Sequence, residues 1–230
     1  MKTGKELFNA WAANYDQLLD GGNASISFEG YQDVLAETVI QARVVPGMRV
    51  LDLGTGTGNL AARFVSAGCD VWGMDYSENM LAKAREKLPS LQPVLADLRD
   101  ETWPQSLMRH YDRIVSAYVW HDFDLDAKMG LLKRLIGNYM ASRGRVVIAD
   151  IAYPDRMART QARAYWGSLW SEAEYYWAGD ETIAACKAIG LACTYQQVSS
   201  CAGVFVIETA QQREDENREP FNKQEGEMRI

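Results

Sequence analysis

This 230-residue chain has no uninterrupted apolar run approaching the ~18 residues of a membrane span. Its first residues, MKTGKELFNAWAANYD, are charged and polar throughout and lack the apolar core of a secretory signal. A cytoplasmic location without membrane attachment is therefore expected. Cysteine is sparse: Cys69, Cys186, Cys193 and Cys201 include no C-x-x-C pair and no nearby histidine. Neither a metal cluster nor a disulfide framework is signalled, and reduced structural thiols are the expectation. Positive charge is also short. The 24 Lys and Arg stand against 31 Asp and Glu, a net charge of −7 that should repel phosphate backbones and argues against nucleic acid as a partner.

What is present is ordinary globular material, 47% hydrophobic and 24% charged, in a length that fits one large α/β domain. From residue 48 onward, β-rich apolar segments alternate with segments of helical period. Strands are expected at Met48–Leu53, Asp70–Met74, Gln92–Ala96, Asp112–Ala117 and Arg145–Asp150, and helices at Asn59–Ala67, Ser77–Leu88 and Leu125–Met140. After Pro154 the pattern reads as helical through Trp177, then a short helix at Asp180–Ile189 and two strand-like runs, Ala192–Ser199 and Gly203–Thr209. Those consecutive strands suggest an antiparallel edge. The fold class is thus α/β, a doubly wound, mostly parallel sheet. Residues 1–45, with helices at Gly4–Leu19 and Tyr31–Ala42, are expected to cover a cleft over a core at 46–210, with an aromatic lid near 154–178. Residues 211–230 form a polar tail with four basic and six acidic residues.

Between the first strand and first core helix lies Asp52-Leu53-Gly54-Thr55-Gly56-Thr57-Gly58-Asn59. Glycines there permit tight turning and close ligand approach. About twenty residues on, Asp75 ends the second strand, where a carboxylate can accept both ribose hydroxyls of an adenosine. The spacing is G-x-G-x-G, whereas the dinucleotide fingerprint asks for glycine or alanine at the position held by Asn59. Asp97, ending the third strand, can accept from an adenine amine. Asp52 would repel a pyrophosphate but attract an ammonium. Adenosine joined to a zwitterionic amino acid is S-adenosylmethionine. An N-cap for Asp75 and a turn for Asp97 are the structural alternatives.

The runs VLDLGTGTGNL, GMDYSENML, LADL and DRIVSAYVWHDF, in that order, resemble the motifs of class I S-adenosylmethionine-dependent methyltransferases over residues 5 to 210. FNAWAANYD, followed by Gly30-Tyr31, is similar to the small bacterial YrrT-like methyltransferases. The resemblance implies a seven-stranded Rossmann-like sheet with an antiparallel last strand. It also implies that Gly54 and its loop (Thr55, Gly56, Gly58) approach the methionine part, Asp75 and the adjoining Tyr76 the ribose, and Asp97 with Leu98 the adenine, with Met80 near the ring. S-adenosylhomocysteine would be the product.

In that arrangement Ser116, Ala117 and Tyr118, at the carboxyl end of the fourth strand, face the reacting methyl. His121 titrates in the range useful to a general base, and Tyr118 can shape the pocket. A local cap, a cofactor-positioning role or a satisfied loop histidine compete for His121, while His110 falls in a loop-like stretch. Trp166, Trp170 and Trp177 are expected to share one helical face, as core or as an acceptor lid. Tyr15 and Tyr31 could close the cleft by hydrogen bonds to the cofactor carboxylate. The leading reading is an enzyme methylating a small molecule by in-line displacement, as monomer or homodimer. An S-adenosylmethionine-binding regulatory domain and a nicotinamide-dependent oxidoreductase are its competitors.

Overall fold

The computed structural model describes residues 28–213. The order is α1 (Tyr31–Ala42), β1 (Arg49–Leu53), α2 (Asn59–Ser66), β2 (Asp70–Asp75), α3 (Glu78–Lys87), β3 (Gln92–Leu95), β4 (Tyr111–Ala117), α4 (Leu125–Asn138), β5 (Met140–Tyr153), α5 (Arg156–Trp166), β6 (Trp177–Ala178), α6 (Gly179–Ala188), β7 (Leu191–Gln197) and β8 (Ala202–Thr209). Short 3₁₀ turns occupy Gln105–Leu107, Trp120–Asp122 and Gly167–Leu169. The expected helix at Gly4–Leu19 and most of the tail lie outside the described residues.

The strands form one sheet in the order β3-β2-β1-β4-β5-β8-β7, with β6 paired to β5 off that path. Pairing is parallel from β3 through β5, and β8 runs antiparallel to both β5 and β7. The last strand in the chain, β8, is antiparallel as expected, and with β7 it forms the antiparallel edge that the two consecutive strand-like runs suggested; β8 itself lies between β5 and β7. Successive residues of the central strands go to opposite faces, because side chains alternate along a strand. Leu51, Ile114, Val146, Ile148 and Phe205 pack on one side with Leu132 and Leu135 of α4. Val50, Val115, Val147, Ala149 and Val204 pack on the other with α1 and α2. This two-sided burial is why the strands read as continuous apolar runs.

Local chemistry sets the element ends. Ser77 caps α3 by accepting from the Met80 amide at 3.2 Å, Asp124 caps α4 through Ala127 at 2.8 Å, and Asp155 caps α5 through Ala158 at 2.7 Å. Two expectations fail. β5 begins at Met140, not Arg145, because Met140 pairs with Tyr111 across a register shift and is drawn out of the preceding helix. Helix α5 stops at Trp166, where Gly167 takes φ 51°, and Trp177 lies in a strand paired with Ala152. Trp166, Trp170 and Trp177 therefore share no helical face. Trp177 is 1% exposed and packs between Trp120 and Phe205, with ring centroids 6.0 and 4.8 Å away.

Candidate active site

Parallel register brings the carboxyl ends of β1, β2 and β4 level, with Leu53 opposite Met74 on one side and Ser116 on the other. The glycine loop leaves from that level. Gly54, Gly56 and Gly58 adopt φ of 69°, 54° and 86°, a region costly to other residues. A Cβ at Gly54 would lie 2.4 Å from Val119 Cγ2, whereas one at Gly56 would meet no atom within 4 Å. A Cβ at Gly58 would lie 3.0 Å from Leu88 and 3.3 Å from Ala84, so this third glycine lets α2 pack closely on the chain of α3. The loop's amides are mostly committed. Gly54 and Thr55 donate to Met74 O at 2.8 and 2.9 Å, Gly58 donates to Thr55 O at 2.8 Å, and Gly56 donates to Asp75 Oδ2 at 2.9 Å.

Three carboxylates stand at the ends of consecutive strands. Asp52 is 1% exposed and accepts from Thr55 Oγ1 at 2.7 Å; burial pushes its pKa up to about 7. Asp75 accepts from Gly56 N with one oxygen and from Ser77 N at 2.8 Å with the other. Burial raises its pKa too, against the pull of those amides. Asp97 is more open, accepts from Arg99 N at 2.9 Å and pairs with the Arg99 guanidinium at 3.6 Å. The turn anticipated for Asp97 is thus present, and Ser77, not Asp75, is the N-cap of α3.

An open cleft of ≈ 690 Å³, solvent at its mouth included, runs across these ends. Gly54, Gly56, Asp75, Tyr76, Met80, Asp97 and Leu98 line one end, and Tyr118, Val119, His121, Asp122 and Phe123 the other. An adjoining hollow is lined by Asp52, Thr55, Thr57, Tyr31 and Tyr118. Ser116 is a correction: fully buried, it donates to Leu53 O at 2.7 Å, tying β4 to β1 instead of facing ligand. Gly58 likewise lines neither space and serves packing. Tyr15 lies outside the described residues. Tyr118 holds φ 58°, unusual for a bulky residue. Its ring lies against Phe28 and Tyr31, with centroids 5.2 and 5.5 Å away, and Tyr118 lines both the cleft and the adjoining hollow.

His121 reaches the cleft from the 3₁₀ turn after β4, and its Nδ1 lies 2.7 Å from Asp150 Oδ1. Asp150 is completely buried; it also accepts from Ile151 N at 2.8 Å and from Trp177 Nε1 at 3.1 Å. Lys128 of α4, 2% exposed, stands 4.1 Å over the Trp177 ring and donates to Tyr175 O at 2.5 Å. Burial brings its pKa down to about 8. Burial opposes charge on His121 as well, but Asp150, with Glu174 and Asp122 adding, outweighs it and raises the imidazole to about 9.

Over 158 residues the chain is 34% identical to the methyltransferase YrrT of Bacillus subtilis (strain 168), a match covering 68% of this chain and 71% of that relative. The chain belongs to the S-adenosylmethionine-dependent methyltransferases. A Geobacillus sp. (strain WCH70) methyltransferase is 33% identical over 159 residues, with the same two coverages. Residues 50–154 of this methyltransferase match the family described as "Methyltransferase domain", and residues 2–94 match the "ubiE/COQ5 methyltransferase family". Among solved structures, the DhpI-SAM-HEP complex superposes with TM-score 0.67 at 21% identity, covering 90% of this chain and all of that one. Magnesium protoporphyrin IX methyltransferase (ChlM) from Synechocystis PCC 6803 with bound SAH gives 0.58 at 17% identity, over 90% and 88% of the two chains. Both likenesses show the shared Rossmann-like fold.

Sequence reasoning missed Asp150, Lys128 and Trp177 as neighbours of His121. One signal was available. An acid inside the apolar strand RVVIAD must find a partner if buried, and a histidine is the natural one.

Proposed function

We propose that this methyltransferase binds S-adenosylmethionine along the cleft between Asp52 and Asp97 and methylates a small molecule delivered to the Tyr118–His121 end. The observation that carries this reading is the direction of the loop's hydrogen bonds. The amides of Gly54, Thr55, Gly56 and Gly58 are spent on the protein's own oxygens, so the loop offers a poor nest for a pyrophosphate. What it presents instead is a row of acceptors. Asp52 suits an ammonium, Asp75 a pair of ribose hydroxyls and Asp97 an adenine amine, with Met80 and Leu98 supplying apolar surface for the ring. Such an acceptor set fits a cationic, hydroxyl-bearing adenosine and is unsuited to a dinucleotide.

When bound, the cofactor supplies an electrophilic methyl on sulfur, and in-line displacement then rests mainly on alignment and exclusion of water. Tyr118, which lines the cleft, and Tyr31, which lines the adjoining hollow, are the aromatic surfaces that shield the bound methyl donor from water. Below about pH 9 His121 keeps its proton and serves as a hydrogen-bond donor that orients the acceptor; toward that value it becomes able to take a proton up. The net charge of −7 favours a small acceptor over a nucleic acid.

Calorimetry with S-adenosylhomocysteine and NAD tests the cofactor assignment. Binding of the former alone is expected, and NAD binding of equal or greater strength overturns it. Transfer of a labelled methyl group to members of a metabolite panel tests the acceptor class.

A further inference from the structure

The cleft reading gives His121 a place but does not explain why its ring is tied inward. Asp150 Oδ1 can only accept, so the hydrogen in the 2.7 Å contact sits on His121 Nδ1. The carboxylate has little freedom to turn. One oxygen is shared between His121 and the Ile151 amide, and the other is held by the Trp177 indole. Trp177 is itself fixed between Trp120 and Phe205 beneath the Lys128 ammonium. The loop before β6 fastens the same residue through its backbone, since Tyr175 N donates to His121 O at 2.7 Å.

We propose that Asp150 is a positioning residue of this methyltransferase: it holds His121 in one tautomer, Nδ1–H turned inward and Nε2 turned to the cleft, with Trp177 keeping the carboxylate in place. The proposal rests on reading the cleft as the methyl-transfer site. Its physical content, however, belongs to the protein without ligand. A ring free to flip would offer the acceptor a carbon edge as often as a nitrogen, so the inward bond selects the useful orientation. The same bond selects the charged form. The charged groups facing His121 are Asp150 from β5, Glu174 from the loop before β6 and Asp122 from its own turn, all acidic; Lys128 from α4 acts on its partner Asp150. Arg99 offsets part of the Asp122 contribution, at 3.4 Å from its carboxylate.

The test is imidazole NMR on the full chain labelled with ¹⁵N and ¹³C histidine, without cofactor or acceptor. The two histidines are told apart in a His110→Asn variant. In the parent protein, His121 above its midpoint should show the Nδ1–H tautomer, and that midpoint should lie above the ordinary 6.5. In Asp150→Asn the midpoint should fall by about one to two pH units. A neutral His121 protonated on Nε2, or an unmoved midpoint in folded Asp150→Asn, overturns the proposal. Should that variant not fold, the tautomer of the parent protein still decides. Failure to bind S-adenosylhomocysteine would remove the cofactor reading and leave the tautomer result untouched, so the two failures are distinguishable.

Discussion

The two ends of the cleft are held by different kinds of bond. At the Asp75 end, carboxylates meet backbone amides near in sequence: Ser77 is two residues away and Gly56 nineteen. At the His121 end the bonds join side chains and loops from separate elements. His121 and Asp150 are 29 residues apart, Asp150 and Trp177 27, and Lys128 and Tyr175 47. Two neighbouring parallel strands, β1 and β2, and the turns that follow them are enough to specify the first end. The second exists only once α4, β5 and β6 have come together, so its geometry depends on packing. The expectation is that backbone changes damage the first end most and side-chain changes the second.

The largest effect should come from Gly54→Ala. It adds a left-handed strain of about 1–2 kcal/mol to an overlap with Val119, whose relief costs about 1–3 kcal/mol, so chemical denaturation should show a loss of about 2–5 kcal/mol. Gly56→Val sharpens the contrast: with no neighbour within 4 Å it should remain folded and lose S-adenosylhomocysteine binding. Wild-type affinity in that variant would mean that the loop only turns the chain.

Next in size is Asp75→Ala. Charge-assisted hydrogen bonds of about 1.5–3 kcal/mol each would be lost with ribose, weakening binding at least ~10-fold by calorimetry. An unchanged dissociation constant in the folded variant would place the ribose elsewhere.

A smaller effect appears as pH dependence at the other end. His121 has its pKa raised from 6.5 to about 9, so it stabilises the fold fully below 6.5 and loses that contribution as pH rises through about 9. Lys128 has the opposite sign, because its charged form is disfavoured on folding and the penalty is relieved between about 8 and 10.5. Melting temperatures of the parent protein and His121→Gln should therefore differ most near pH 6 and converge by pH 9, since Lys128 is common to both. A gap independent of pH would sever His121 from Asp150.

The smallest effect is expected for Tyr165→Ser on α5. Its ring is 80% exposed, so stability should change by no more than about 0.5 kcal/mol in thermal unfolding.

The succession of strands and helices and the loop position were legible because strand–glycine–helix signals are contiguous and the strands are apolar on both faces. Asp52, Asp75 and Asp97 could be placed by strand-end reasoning alone. Ser116 could not, since a strand-end hydroxyl pointing to ligand and one bonding to Leu53 O have the same sequence. The aromatic segment misled for a related reason. Tryptophans spaced by roughly a helical turn look amphipathic, yet Gly167 breaks the helix and β6 draws Trp177 into the sheet. Neither Gly190 nor Gly68, both at positive φ in ordinary turns, looks different in sequence from the glycines that form the loop. Only their neighbours separate them.

The placement of β8 has a consequence for synthesis. β5 pairs on one side with β4, already made, and over Val146–Ile151 on the other side with residues 202–207, about fifty residues later. At 5–20 residues per second that interval lasts on the order of 3–10 s, during which an apolar strand has one side of its backbone open. A nascent chain at this stage has the complete glycine loop and all three strand-end carboxylates, but its sheet stops at an unprotected edge. Chains arrested before residue 202 should therefore be captured by chaperones or aggregate, with their cofactor half already built.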